Sequence, residues 1–413
     1  MKLRHRLLIS IVVLLVLVIA AFSVLFVIPW HRNVPVGAVL YEWYGYDLSG
    51  SCGTAYSASC WTGGLGTSHW NDTAEGIVKD TPDFGDCKAA DVNSCYYASD
   101  NNDTLAWQFS NMQEAGISVI VVSWWGYGGP GSGTQQVMDE AVNNATLNLF
   151  KYLEATQNLW HFRVAIMVDQ FPQTELDATE WAQVYDYLGS HFYGPYSHLI
   201  FGWQGKPLVL FFNQSPYLDS YTQIPANDTF TEKLEGGVPN QVNWIFWEGG
   251  AAYLTSSSGS AVPSDYDGPP VISADGEVGL IWRYDDCALC AVGARNGCME
   301  FDPDGSLGLW NYEESFAVSN AASIKLILLY SWNEYHERTA FEPHTDSTAP
   351  NFNGTRDVSE LIQGLASAPF LPWPKTTNVF MVADCVLAAC LAAMAISVAS
   401  VRLRRSRNKS RLS

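Results

Sequence analysis

The chain has 413 residues, which is enough for one large domain or two medium ones. It carries 22 Lys and Arg against 42 Asp and Glu, a formal net charge of −20. Such a balance excludes nucleic acid and other anionic polymers as partners and suits a neutral substrate.

The first element in chain order is Leu7 to Ile28, 22 residues without a charge, preceded by Lys2, Arg4 and Arg6. It is long enough to cross about 30 Å of hydrocarbon, and longer than the run of about 7–15 apolar residues in a cleaved signal peptide. Val379 to Val401 matches it at the other end, 23 residues with one charge at Asp384, followed by the basic tail RLRRSRNKSRLS. By the positive-inside rule both ends lie in the cytoplasm and the residues between the two spans lie outside it. The expected division is a cytoplasmic tip and anchor over 1–30, an extracytoplasmic domain over 31–375, and a second transmembrane helix with a basic cytoplasmic tail over 376–413. From Asn33 to Thr376, Lys375 apart, 11 Lys and Arg face 41 Asp and Glu, and 11 − 41 gives −30 for the central domain. Six glycosylation sequons at Asn71, Asn102, Asn144, Asn213, Asn227 and Asn353 fit a glycoprotein on the cell surface or in the secretory lumen. Cys52 with Cys60 and Cys87 with Cys95 fit local disulfides in the same setting. Cys287, Cys290 and Cys298 leave one odd thiol and lack a neighbouring fourth ligand for zinc.

Between the two spans, apolar β-branched runs alternate with helix-like segments. The runs are Val36–Gly45, Ile117–Gly129, Phe162–Gln170, Lys206–Asn213, Val242–Gly249, Gly279–Asp286 and Ser323–Glu334. Four are preceded by amphipathic stretches beginning at Thr104, Ala145, Thr179 and Trp310, the first stopped by Gly116. Near-continuous apolar strands are buried on both faces, as parallel strands under helices are. The predicted fold class is α/β, a (β/α)8 TIM-type barrel with N- and C-terminal transmembrane helices. A doubly wound sheet competes, but no glycine-rich phosphate loop accompanies any strand. Seven strands have a clear signal; the eighth has none.

In such a barrel the active site lies where the strands end. Those ends carry Glu42, Trp43 and Tyr44; Trp124 and Trp125; Asp169; Asn213; Trp247 and Glu248; Arg283 to Asp286; and Asn333 with Glu334. Indole faces stack on the C–H faces of sugars, and Asp, Glu, Asn and Arg bond their hydroxyls. Glycosidic bonds are usually cleaved by two carboxyl groups. Glu334 and Glu337 stand three residues apart where the last strand yields to a loop, with Asn333, His336 and Arg338 around them. The same pair also suits a helix start that merely accommodates acidic residues.

The stretch SWNEYHERTAFEPH, Ser331 to His344, resembles the NEWHEGTQIEP signature of glycoside hydrolase family 99, the endo-α-mannosidases and endo-α-mannanases. EWYG at Glu42, SHW at Ser68 and ISVIVVSWWG at Ile117 resemble further family segments in the same order, and GKPLVLFF at Gly205 does so less specifically. The resemblance implies a (β/α)8 barrel acting on α-mannose-containing glycans without metal or cofactor. It implies that Glu334 takes the proton of the sugar 2-hydroxyl while Glu337 protonates the leaving oxygen, through an epoxide-like intermediate. Trp43, Tyr44, His69, Trp70, Trp124, Trp125, Asp169, Asn333 and His336 are the expected substrate-binding residues. Arg338 stands where the signature has Gly, Ala340-Phe341 where it has Gln-Ile, and Asp169 where relatives tend to have Glu. Two other readings remain open: a two-carboxylate glycosidase using Glu42, Asp169 or Glu248 as nucleophile, and a non-catalytic glycan-binding protein in which Arg338 disables Glu337.

Overall fold

The computed structural model describes residues 34–45, 79–84, 96–127, 134–169, 178–212, 227–235, 243–244, 270–291, 300–301, 307–346 and 348–368. The chain divides into two compact units, Met1–Trp30 with Pro369–Ser413, and His31–Ala368; every described residue lies in the second. Both apolar end segments, the Asn71 and Asn213 sequons, and Cys52, Cys60, Cys87, Cys95 and Cys298 fall outside the described residues. Among the described residues no helix is long and apolar enough to cross a membrane, and Cys290 is a free thiol.

Among the described residues eight parallel strands build the sheet: β1 (Val36–Tyr41), β3 (Val119–Trp124), β4 (Arg163–Val168), β6 (Lys206–Phe212), β7 (Thr231–Glu235), β8 (Asn243–Trp244), β9 (Glu277–Leu280) and β12 (Leu326–Leu329). A short antiparallel strand, β5 (Gly202–Trp203), folds onto β6. The order across the sheet is β8-β7-β6-β4-β3-β1-β12-β9. The last parallel strand in the chain but one thus sits at one edge, and β12 lies beside β1. That cyclic order curls the sheet into a TIM-type fold. Among the described residues four further strands lie outside the sheet: β2 (Thr81–Pro82) pairs with β13 (His344–Thr345), and β10 (Tyr284–Asp285) with β11 (Glu300–Phe301).

Side-chain alternation sorts the strands into two apolar layers. Ala38, Leu40, Ile120, Val122, Ile166, Phe211, Leu280 and Leu329 pack outward against the helices. Val39, Tyr41, Val121, Met167, Leu210, Leu328 and Tyr330 pack inward against one another. The covering helices are α1 (Asn102–Ala115), α2 (Thr134–Ala155), α3 (Ala178–Leu188), α5 (Gly308–Ser319) and α6 (Gly354–Ser367), with a short α4 (Cys287–Ala291) after β10. Helix α1 begins at Asn101, whose side chain accepts the Asp103 N–H, and ends at Gly116 with φ 84°. A residue with a Cβ enters that left-handed conformation reluctantly, which is why a glycine stops the helix there.

The strand with no sequence signal is β7, TEKLE. Glu232 and Lys233 are buried because each has a partner. Tyr185 of α3 donates its hydroxyl to Glu232, and Lys233 pairs with Asp275. Lys233 is only 5% exposed, so removing one member leaves an uncompensated charge in the wall of the sheet. Lys233→Ala is expected to destabilise the fold by about 3 kcal/mol, read as a lower urea midpoint. Lys233→Met with Asp275→Asn should recover most of that loss.

Candidate active site

The ladder between β12 and β1 ends with Leu329 opposite Ala38, although β1 runs on to Tyr41. The turn after β12 satisfies the remaining groups of β1. Trp332 N–H donates to the Val39 carbonyl at 2.7 Å. Asn333 Oδ1 accepts the Tyr41 N–H at 2.8 Å, and its Nδ2 donates to the Tyr41 carbonyl at 2.9 Å. The side chain does here what a further strand residue would do. The loop then closes on itself. Ser331 Oγ accepts the Glu334 N–H at 2.7 Å, Thr339 N–H reaches the Glu334 carbonyl at 3.0 Å, and Phe341 N–H returns to the Ser331 carbonyl at 3.0 Å.

This loop holds Glu334 and Glu337 at 2% and 5% exposure. Glu334 Oε1 accepts the His336 N–H at 2.8 Å and lies 3.0 Å from His336 Nδ1. Glu337 Oε2 accepts the Tyr330 hydroxyl at 2.9 Å, and Tyr330 in turn accepts the Tyr41 hydroxyl at 3.1 Å. Burial holds both tyrosines well above their usual range, with Glu334 and Glu337 adding to the effect, so both hydroxyls keep their protons.

Asp169, just past β4, completes the group. Ser123 Oγ donates to its Oδ2 at 2.5 Å, and Trp125 Nε1 donates to Ser123 Oγ at 3.2 Å. Burial pushes the Asp169 carboxyl up to about 7; bonds from Ser123 and Trp125 oppose this, and Glu334 and Glu337 add to it. Three acids thus share one buried neighbourhood, in which Glu334 and Glu337 oppose ionisation of Asp169.

An aromatic surface adjoins them. Trp43 stacks on Tyr41 at 4.2 Å and meets Trp125 edge-on at 5.0 Å and His336 edge-on at 6.0 Å. Tyr44 lies parallel to His336 at 6.3 Å, and its hydroxyl donates to the Asn333 carbonyl at 2.8 Å. The site therefore gathers Trp43, Tyr44, Trp125, Asp169, Glu334, His336 and Glu337. Trp124 is placed elsewhere. Strand alternation turns Ser123 inward and Trp124 outward, where its Nε1 donates to Asn143 of α2 at 2.9 Å and its ring stacks on Tyr187 of α3 at 5.7 Å. Asn333 is next to the acids, but its amide is taken up by the backbone of Tyr41. His69 and Trp70 lie outside the described residues.

Sequence reading missed Tyr41 and Tyr330, and placed Ser123 at a strand end without giving it a role; all three help to orient the acids. Their signal was available. Each is an inward-facing position at or just past the end of its strand, with a polar group in an otherwise apolar row.

Arg338 directs its guanidinium to Asp80, Asp285 and Asp346. Asp80, His344 and Asp346 bring possible metal-ligand atoms within 4.8 Å of one another. Both aspartates are already paired with Arg283 and Arg338, and that positive charge opposes a cation. A second such group, Asp285, Cys287 and Glu300, shares Asp285 with Arg338.

The raised Asp169 carboxyl sets a pH dependence. Its folded value of about 7 exceeds the ordinary 3.8, so the native state holds a proton that the unfolded chain releases. This contribution to stability is complete below about 4 and lost as pH rises through 7, on the order of 4 kcal/mol at about 1.4 kcal/mol per unit. Asp169→Asn, which stays neutral, should flatten the pH dependence of unfolding over that window and leave the variant more stable than wild type at pH 8. Urea titrations at pH 4.5, 6 and 8 measure it.

No protein-family model matches this chain, and no curated protein matches it. Solved structures do. The chain is similar to the glycoside hydrolase family 99 endo-α-mannosidase of Bacteroides thetaiotaomicron in complex with bis-tris propane, with a TM-score of 0.51 and 14% identity, over 81% of this chain and 96% of that one. A second structure of the Bacteroides thetaiotaomicron enzyme gives 0.48 at 14% identity, over 81% and 97%. A glycoside hydrolase-like protein gives 0.43 at 12%, over 81% and 94%. At such identity the likeness concerns the fold, and the chain has a fold like that of a family 99 glycoside hydrolase.

Proposed function

We propose that this protein is a retaining glycoside hydrolase that cleaves α-mannosidic linkages within glycans, with Glu334 and Glu337 as its catalytic pair. The observation that carries the reading is the joint burial of Glu334, Glu337 and Asp169, at the C-terminal edge of the sheet, beside the Trp43 and Trp125 rings. The fold likeness to an endo-α-mannosidase and the sequence resemblance support the same class. In this reading the sheet closes as a full (β/α)8 barrel, and the domain stands outside the cytoplasm between the anchors Leu7–Ile28 and Val379–Val401. The −30 charge between them suits an uncharged substrate.

The steps follow from the orientation of each acid. Glu334, with Oε1 fixed by His336, removes the proton of the mannose 2-hydroxyl. O2 then attacks C1 as the C1–O bond to the leaving group breaks, and Glu337 gives its proton to the leaving oxygen. Glu337 next takes a proton from water as the water oxygen attacks C1 and opens the three-membered ring, and O2 recovers its proton from Glu334. The tyrosine pair holds Glu337 in place through both of its roles. Binding of Arg338 by three aspartates supports an unhindered acid role for Glu337, and so weighs against the non-catalytic reading.

One observation favours a second reading. Asp169 keeps a proton up to about pH 7 while lying in the same electrostatic neighbourhood as both glutamates. It is thus placed to act in an ordinary two-carboxylate mechanism. A 2-deoxy-α-mannoside separates the two, because only the ordinary mechanism cleaves it. With the full-length chain and an α-mannan, Glu334→Gln and Glu337→Gln are each expected to lower turnover by about 10²–10⁴-fold, read by mass spectrometry of released oligosaccharides. Activity that survives both changes overturns the assignment.

A further inference from the structure

We propose that Arg338 is a positioning residue for Glu337, holding the peptide that joins them through a buried clamp of two arginines and three aspartates. This rests on the reading of Glu337 as the acid–base group. Arg338 has φ +55°, in the left-handed region that side chains with a Cβ rarely adopt. The family signature places Gly at this position, as that backbone favours. This chain keeps the conformation with an arginine, so the surroundings must supply what glycine supplies elsewhere.

They supply it from every side. Arg338 Nε donates to Asp80 Oδ2 at 3.2 Å and its Nη2 to Asp80 Oδ1 at 3.0 Å, a bidentate pair. Its Nη1 reaches Asp285 at 3.2 Å, and its Nη2 also reaches Asp346 and Thr348, each at 2.9 Å. The main chain is held too. Asp285 N–H donates to the Glu337 carbonyl at 2.8 Å, and Arg283 Nε donates to the Arg338 carbonyl at 2.8 Å. Two consecutive carbonyls, those of Glu337 and Arg338, are therefore gripped by the single segment 283–285.

Arg283 is itself held by several partners. It is fully buried, lies over the Trp282 ring at 4.3 Å, and donates to Asp80 at 2.6 Å. It also pairs with Asp346. The pairing of β2 with β13 brings Asp80 and Asp346 together. Lys79, 3.7 Å from Asp285, completes three cations against three carboxylates. The positive charge of Arg338 is thus balanced where it lies, and its action on Glu337 is geometric. Its guanidinium is already engaged by Asp80, Asp285, Asp346 and Thr348, and so is poorly placed to meet substrate.

The test compares Arg338→Gly, Arg338→Lys, Asp80→Asn and the Arg338→Gly/Asp80→Asn double variant in the full-length chain on the α-mannan. Glycine accepts the backbone conformation, which offsets part of the cost of leaving the aspartates without that cation in Arg338→Gly; a urea midpoint is read beside each kcat. Arg338→Gly should lower kcat by about 10–100-fold, as a misplaced group does, with KM within about twofold. Arg338→Lys should recover part of the loss. Asp80→Asn should lower kcat likewise, and the double variant should add little, since both act through one clamp. Unchanged kcat in Arg338→Gly overturns the proposal, as does a rise in KM alone, which would make Arg338 a substrate contact. If wild type and Glu337→Gln are equally inactive, the reading of function fails instead. The clamp is then judged by amide hydrogen exchange. Arg338→Gly should raise exchange about tenfold or more across residues 333–339 and not in the sheet, and no local rise overturns it.

Discussion

The candidate site depends first on one amide. Asn333 gives both its side-chain oxygen and its nitrogen to the backbone of Tyr41, continuing the β1–β12 seam beyond the last laddered pair. Without it a buried N–H and a buried carbonyl would be left without partners, a penalty of about 1–3 kcal/mol for each group. The consequence reaches past stability. Glu334 is the next residue and Glu337 lies three further on, so fixing Asn333 to β1 fixes the start of the segment that carries both acids. The same bond holds the end of β1, from which Trp43 and Tyr44 extend. One side chain therefore sets the acids and the adjoining aromatic surface in a common frame.

The far end of the segment is fixed differently, by charge. Arg338 takes the backbone conformation that glycine prefers, and buried ion pairs alone seldom repay their desolvation. Here the guanidinium also receives bidentate geometry, a hydroxyl acceptor and balanced charge. Those features separate it from an isolated buried pair. The acids thus lie between a neutral amide clamp on one side and an ionic clamp on the other. A loop held at both ends keeps two carboxyls at low exposure without either being part of a helix or strand.

Much of the fold was legible because its strands are apolar on both faces. Seven of the eight parallel strands lie within the runs read from the sequence or overlap them. β7 was not legible, since TEKLE gains its place from partners distant in the chain, Tyr185 and Asp275. Its charges become tolerable only once those residues arrive. At the site, Glu334, Glu337, His336 and Asp169 were legible from residue type and position at strand ends. The roles of Trp124 and Asn333 were not. Both types suit sugar binding, and only strand alternation shows that Trp124 faces the helices while Trp125 faces the acids. The amide of Asn333 could be assigned to the backbone only when the shortness of β12 was known. Arg338 looked like a threat to Glu337 because sequence proximity says nothing of the aspartates, two of them more than fifty residues away, that receive its charge.

Three acids in one buried space would repel one another into a single ill-defined proton pool if their surroundings were alike. Their surroundings differ. Glu334 is oriented by the N–H and ring nitrogen of His336, two residues on. Glu337 is oriented by a phenol whose own oxygen accepts from a second phenol. Asp169 is bonded by a serine hydroxyl that an indole N–H supports in turn, and its burial keeps it protonated to about 7. A proton retained by Asp169 removes one negative charge from the neighbourhood of Glu334 and Glu337. The three carboxyls therefore differ in what bonds to each, and under the proposed function it is this difference, rather than their spacing in the chain, that fits two of them for separate roles at one glycosidic bond.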